Sequence, residues 1–293
     1  MRTEKEMMEL ILKVAEEDER IRAVYLNGSR ANPNITKDIF QDYDIVYVVD
    51  ETLSFIKDKN WIDIFGQRLY MQLPDKLDNE LGLNVNLKQC YGYLIQLADG
   101  NRLDLRLMNL DYVREQIIND KLTIILRDKD NLLPAIPSSS DIDYWVKRPT
   151  EIQFGACCNE FWWCLNNVAK GMWREEILYV MDMLDSVIRV ELKNMLTWYV
   201  GMKTDFSVSV GKSGKFLDKY LSKDLWERFL KTYPTANINS MWESVFIMCS
   251  LFDEVAELIS KEFGFSYDKT EAVNSLMFLN NAQGLSKSAI KVL

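Results

Sequence analysis

The apolar pattern of this chain changes character once, and that change most limits what it can fold into. Before residue 131, short strand-like runs recur at 21–26, 44–50, 93–97 and 102–108, with 122–126 as one more. Helical spacing there is confined to 4–17 and 110–119, and an Asp99-Gly100 turn joins two of the runs as a hairpin. After residue 149 the period becomes helical over 151–170, 174–199, 221–232 and 239–263. Only 206–210 keeps strand character in that half. Between the two regimes lie Pro134, Pro137, Pro149 and Ser138-Ser139-Ser140, the composition of a connector. The reading is therefore α+β: a first domain over 1–134 with a mixed sheet flanked by helices, a linker over 135–149, and a helical bundle over 150–293. Trp162, Trp163, Trp173, Met181, Met183 and Met195 are expected to fill the bundle core.

Composition excludes several function classes. The chain has 293 residues, 35 Lys and Arg against 44 Asp and Glu, and a net charge of -9. That balance disfavours phosphate backbones and anionic membranes, and it suits a cationic small substrate. Histidine is absent, so Ser-His-Asp and Cys-His catalysis and His-ligated zinc are excluded. A general base has to be a carboxylate, Lys, Cys or Tyr. The cysteines Cys90, Cys157, Cys158, Cys164 and Cys249 are odd in number and form no C-x-x-C pair, so they read as reduced core residues. Arg2, Glu4, Lys5 and Glu9 stand where a signal peptide needs an apolar core, and no apolar window of spanning length occurs. A cytoplasmic protein, monomeric or weakly dimeric, is expected.

The chemistry is concentrated in the first half. Asp42-Tyr43-Asp44 opens a β-branched run, and residues two apart on a strand point to one face, about 7 Å apart. Such a carboxylate pair can converge on Mg²⁺ ions that travel with nucleotide phosphates. Asp128/Asp130 and Asp141/Asp143 repeat the spacing in turn-like stretches and read as caps or solvated charges. Gly28-Ser29-Arg30 follows the preceding apolar run; Gly admits a phosphate to backbone amides, Ser offers a hydroxyl and Arg a planar fork. Asp104 lies within an alternating strand whose buried face is Leu103, Leu105 and Leu107, so it shares the polar face with Arg106. An Asp in mid-strand disfavours β-structure and calls for a reason.

A Gly-Ser turn, a downstream Asp-x-Asp and a third carboxylate on a later strand resemble the signature of polymerase-beta-like nucleotidyltransferases. More closely, the chain resembles the aminoglycoside 6-adenylyltransferases of the streptomycin-modifying type. Tyr25-Leu26-Asn27-Gly28-Ser29-Arg30-Ala31-Asn32, Gln41-Asp42-Tyr43-Asp44-Ile45 and Arg102-Leu103-Asp104-Leu105-Arg106 look like that family's catalytic half. Asn159-Glu160-Phe161-Trp162-Trp163, Val168-Ala169-Lys170-Gly171 and Phe206-Ser207-Val208-Ser209-Val210-Gly211-Lys212 look like its helical half. The resemblance runs over essentially the whole length.

It implies a nucleotidyltransferase domain followed by a helical domain that binds substrate and closes over the nucleotide. The implied reaction is Mg²⁺-dependent transfer of AMP from ATP to the 6-hydroxyl of streptomycin, releasing pyrophosphate and inactivating the antibiotic. Asp42 and Asp44 would hold the metal, with Asp104 as third ligand or base. Gly28, Ser29 and Arg30 would engage the triphosphate, joined from the helical half by Lys212 or Lys215. Gly211-Lys212-Ser213-Gly214-Lys215 is no Walker A motif, because Phe206 stands where its first Gly belongs. The guanidinium groups of streptomycin call for carboxylates, and Glu160, Asp182 and Asp185 are candidates, with Trp163 as a flat wall. Three other readings remain: the same chemistry on another small-molecule or protein hydroxyl, a nucleotide-binding regulator, and a helical interaction protein. An RNA substrate would need a basic face that this composition lacks.

Overall fold

A computed structural model describes residues 1–292. The chain forms two compact units, Met1–Asp143 and Tyr144–Leu293. The first contains α1 (Glu4–Glu17), β1 (Ile21–Asn27), a 3-10 turn (Gly28–Ala31), β2 (Tyr43–Val49), α2 (Leu53–Lys57) and β3 (Arg68–Gln72). It continues with α3 (Pro74–Glu80), β4 (Cys90–Leu97), β5 (Arg102–Asn109), α4 (Leu110–Gln116) and β6 (Thr123–Asp128). The strands make one sheet in the order β3-β4-β5-β2-β1-β6. The β2–β5 pair is parallel and every other pair antiparallel, so the sheet is mixed as the α+β reading requires.

Side-chain alternation divides the sheet into two unlike faces. Val24, Leu26, Ile45, Tyr47, Leu103, Leu105 and Leu107 point one way and pack with Met7, Ile11 and Val14 of α1 and with Phe55 and Phe65. Tyr47 is fully buried there, and its hydroxyl donates to the Ile11 carbonyl at 2.6 Å, which satisfies a polar group that would otherwise be costly to bury. The opposite face carries Ala23, Tyr25, Val46, Val48 and Met108, covered by Val113 and Ile117. That cover ends part-way along the strands. Beyond it the same face presents Asp44, Asp104 and Asn27, and the sheet is open.

The second unit is helical: α5 (Glu151–Arg174), α6 (Ile177–Met183), α7 (Arg189–Lys203), α8 (Leu217–Tyr220), α9 (Lys223–Leu230), α10 (Ile238–Phe263) and α11 (Lys269–Gly284). A capping box of Thr150 and Gln153 starts α5. Its core is built around rings such as Phe161 and Phe252, stacked with centroids 3.8 Å apart. Among the described residues no helix is long and apolar enough to cross a membrane.

Three expectations from the sequence differ from this fold. The run 206–210 is no strand: Asp205 and Phe206 have φ of 51° and 53°, which turns the backbone away, and one bond from Val146 N–H to the Val208 carbonyl at 2.9 Å secures it. The helical stretch over 174–199 is broken, because Glu175 adopts φ 63° and ends α5, and a π turn (Leu184–Ile188) separates α6 from α7. Of the residues expected in the core, Trp162 and Met195 are buried, but Trp163 is 67% exposed. Adjacent helical positions lie about 100° apart, so both indoles cannot face inward. All five cysteines are free thiols, four of them buried.

Candidate active site

Strand register assembles the site. Asp104 on β5 is paired with Asp44 on β2, Asp44 with Asn27 on β1, and Asn27 with Thr123 on β6, so four polar residues cross the sheet in one row. Asp42 precedes β2 by one residue and lies close enough to share an arginine with Asp104. Arg102 donates to both Asp104 oxygens at 2.9 and 2.8 Å, and its guanidinium stands 3.5 Å from the Asp42 carboxylate. Asn27, Asp44 and Asp104 line a hollow of about 430 Å³ together with Gly28, Tyr25, Val46, Arg106, Gln116, Asn119 and Asp120.

The turn after β1 is shaped for this crowding. Gly28 has φ 70°, a left-handed conformation that other residues adopt at a cost, and a Cβ built on it would come 2.1 Å from Asp44 Oδ2. The Asp44 carboxylate thus rests directly against bare backbone. Ser29 follows in the 3-10 turn, its hydroxyl without a hydrogen bond among the described residues.

Arg30 has a different task from the phosphate fork expected of it. Its side chain is 5% exposed, stacks over the Tyr43 ring at 3.8 Å, donates to the Gln41 and Asp42 carbonyls at 2.8 and 3.0 Å, and meets Glu4 at 3.3 Å. Arg30 therefore fixes the backbone that delivers Asp42.

Electrostatics mark the row as short of positive charge. Burial, with the neighbouring Asp104 and Asp42 charges, raises the Asp44 carboxyl to about 6 against the pull of Arg102 and Arg106. Asp42 is raised too, first by burial and partly by Asp104. One arginine serves Asp42 and Asp104, and no set of three His, Cys, Asp or Glu side chains converges as a ready cluster among the described residues.

The helical candidates are dispersed within the second unit. Lys212 and Lys215 flank a 3-10 turn (Lys212–Gly214), and Lys215 lies 5.0 Å from the Phe216 ring. No strand precedes that turn and only the four-residue α8 follows, which agrees with its not being a P-loop. Glu160 lines a shallow hollow between α5 and α7 with Glu191, Asn194 and Trp198. Trp163 lines another, between α5 and α11, with Asn166, Glu271 and Asn274. Asp182 is exposed and accepts from Ser186. Asp185 is the counter-ion of Arg189, a guanidinium that is 2% exposed and also donates to the Thr232 carbonyl. Asp185 is thereby committed to the fold.

Sequence reading missed several lining residues. Asn119 and Asp120 arrive on the turn after α4, where nothing but their polarity just past a helix end could have marked them. Asn27 could have been found, since it immediately precedes Gly28; its side-chain oxygen is buried without a partner among the described residues.

The family model described as streptomycin adenylyltransferase matches residues 1–282. Aminoglycoside 6-adenylyltransferase from Campylobacter jejuni is 40% identical over 267 residues, 91% of each chain. The enzyme of that name from Bacillus subtilis is 40% identical over 268 residues, covering 91% of this chain and 93% of its own. The one from Staphylococcus aureus is 37% identical over 272 residues, 92% of this chain and 95% of its own. The chain belongs to the streptomycin adenylyltransferase family and is a nucleotidyltransferase.

Proposed function

We propose that the protein transfers AMP from ATP to the 6-hydroxyl of streptomycin in a Mg²⁺-dependent reaction that releases pyrophosphate. The observation that carries this reading is the carboxylate group beside Gly28: Asp44 and Asp104 line one hollow, Asp42 shares Arg102 with Asp104, and Asp42 and Asp44 have raised pKa. Such a set suits a hard divalent cation, because oxygen donors with uncompensated charge are what Mg²⁺ takes. Asp42, Asp44 and Asp104 would hold it, and once bound it would neutralise phosphate charge.

The chain's own residues supply positioning and proton transfer. Gly28 admits phosphate oxygens to the backbone beside Asp44, and Ser29 offers a hydroxyl donor. Arg30, through the Gln41 and Asp42 carbonyls, keeps the first carboxylate in place. The acceptor hydroxyl oxygen bonds to the α-phosphorus while the bond to pyrophosphate breaks, and the hydroxyl proton passes to a carboxylate, for which Asp104 is the candidate. In the helical unit the reading leaves Lys212 and Lys215 for phosphates, and Glu160, Trp163 and Asp182 for the cationic acceptor.

The test is pyrophosphate release from ATP and Mg²⁺ with streptomycin and a panel of other aminoglycosides, with Asp42→Asn as control. Release with streptomycin, abolished by the substitution, is expected. Release only with another aminoglycoside would move the acceptor, and no release with any of them despite ATP binding would sink the antibiotic reading.

A further inference from the structure

Three arginines border the carboxylate row, and two are already engaged. Arg30 is held by carbonyls and Glu4, and Arg102 by Asp104 and Asp42. Arg106 makes no hydrogen bond or ion pair among the described residues. It is also the only cation among the residues lining the hollow.

Its placement runs against the local pattern. Arg106 is paired with Val46 on β2 and Gly92 on β4, and Val46 is paired with Tyr25, which is paired with Ile125. That row is otherwise apolar. It lies between the carboxylate row and the core under α4, so a long cation emerges at the border of the open half of the sheet. Neither strand neighbour can partner it. Asp75 of α3 lies beside Gly92, whose built Cβ would sit 3.1 Å from its Oδ2, yet Asp75 forms no ion pair with Arg106.

We infer that Arg106 is a phosphate-binding residue of this hollow, its guanidinium fork taking phosphoryl oxygens of the nucleotide. The inference rests on the adenylyl-transfer reading and deepens it. An anion is the ligand that fits, because a planar guanidinium matches phosphate oxygens in a bidentate manner and Tyr25, Val46 and Met108 give the contact an apolar backing. A cationic acceptor would be repelled from this side of the hollow. Arg106 then supplies from a strand the fork that Arg30 does not, and the triphosphate lies across the sheet from the Gly28 turn toward β4.

Calorimetric titration of ATP with Mg²⁺, and separately of pyrophosphate, into the full-length protein and its R106Q and R106K variants tests this. In R106Q both affinities are expected to fall about tenfold or more, with the melting temperature and the KM for streptomycin unchanged. R106K is expected to recover part of the loss, since a point charge replaces the fork. Affinities within twofold of the parent protein would overturn the inference while leaving the transferase reading intact. A shift confined to the KM for streptomycin would also overturn it, by placing Arg106 on the acceptor. Failure of both variants to fold would make Arg106 structural. A parent protein that binds neither ATP nor pyrophosphate would sink the transferase reading and this inference together.

Discussion

Asp42-Tyr43-Asp44 at the start of β2 and Asp128-Lys129-Asp130 at the end of β6 share one spacing in sequence, but they meet opposite surroundings. Asp128 accepts the Leu132 and Leu133 amides at 3.0 and 2.9 Å, and Asp130 is paired with Arg22. Asp141 and Asp143, the third such triplet, likewise take Asn34 and Lys121. Around Asp42 and Asp44 the fold provides a third carboxylate and one arginine shared with it. Asp128 and Asp130 are thus satisfied by the chain's own donors, whereas Asp42 and Asp104 draw on one arginine and the Asp44 carboxylate accepts no hydrogen bond among the described residues.

The largest expected effect follows directly. Asp42→Asn, Asp44→Asn or Asp104→Asn should each lower the rate of pyrophosphate release by about 10³-fold or more, some 4 kcal/mol of barrier. Asp128→Asn and Asp130→Asn should keep the parent rate within about threefold, because their oxygens serve the turn after β6 and the β1 arginine. Equal losses at both triplets would erase the distinction drawn here.

Next in size is Gly28→Ala, which tests how tightly the crowded set is built. The methyl group would meet Asp44 Oδ2 at 2.1 Å on a backbone with φ 70°. A loss of about 3 kcal/mol in urea unfolding is expected from clash and left-handed strain together. Adding Asp44→Ala should return about 1 kcal/mol or more of it, since the obstructing carboxylate is then gone. Additive losses in the double variant would mean that the strain is purely backbone.

How far the sequence disclosed this depends on the kind of information each residue carries. The alternation Leu103-Asp104-Leu105-Arg106-Leu107 places Asp104 on the polar face without ambiguity, and the β-branched run after Asp44 makes β2 central. Strand order is not carried by local pattern, so the pairing of Asp44 with Asp104, and with it the shared arginine, emerges only from the sheet. The edge strand β3 escaped notice because Leu69 and Tyr70 are 61% and 69% exposed and no buried face imposes period two. The contacts of Arg30 were hidden for a related reason: an arginine beside a Gly-Ser turn looks the same whether it binds a ligand or the chain's own carbonyls. Helix α11 has almost no amphipathic contrast, whereas Asp185 and Arg189 stand at the i,i+4 spacing of an ordinary helical ion pair; what the pattern could not show is that Arg189 is buried.

A smaller effect concerns stability against pH in the presence of a chelator. The Asp44 carboxyl is raised to about 6 from an ordinary 3.8, so folding favours its protonated form. That contribution is fully present below the unfolded value and is lost as the pH rises through about 6, leaving at most about 3 kcal/mol of penalty at pH 8. Asp44→Asn, which carries no charge at any pH, should therefore be more stable than the parent protein at pH 8 and no more stable at pH 3.5. Equal stability at pH 8 would mean that the charge is already compensated, and the contrast between the two triplets would weaken.

The smallest effect lies at the satisfied triplet. Asp128→Asn keeps one oxygen acceptor for the Leu132 and Leu133 amides but replaces the other with a donor, so one of two hydrogen bonds to a backbone N–H is lost. The expected cost is about 1 kcal/mol in urea unfolding at pH 7, with no change in the KM for ATP. The loss comes from the loop, because this carboxylate, unlike Asp44, is supplied with donors by its own backbone. A gain in stability on substitution would place Asp128 in the crowded class, and the difference between the two regions would then be one of degree.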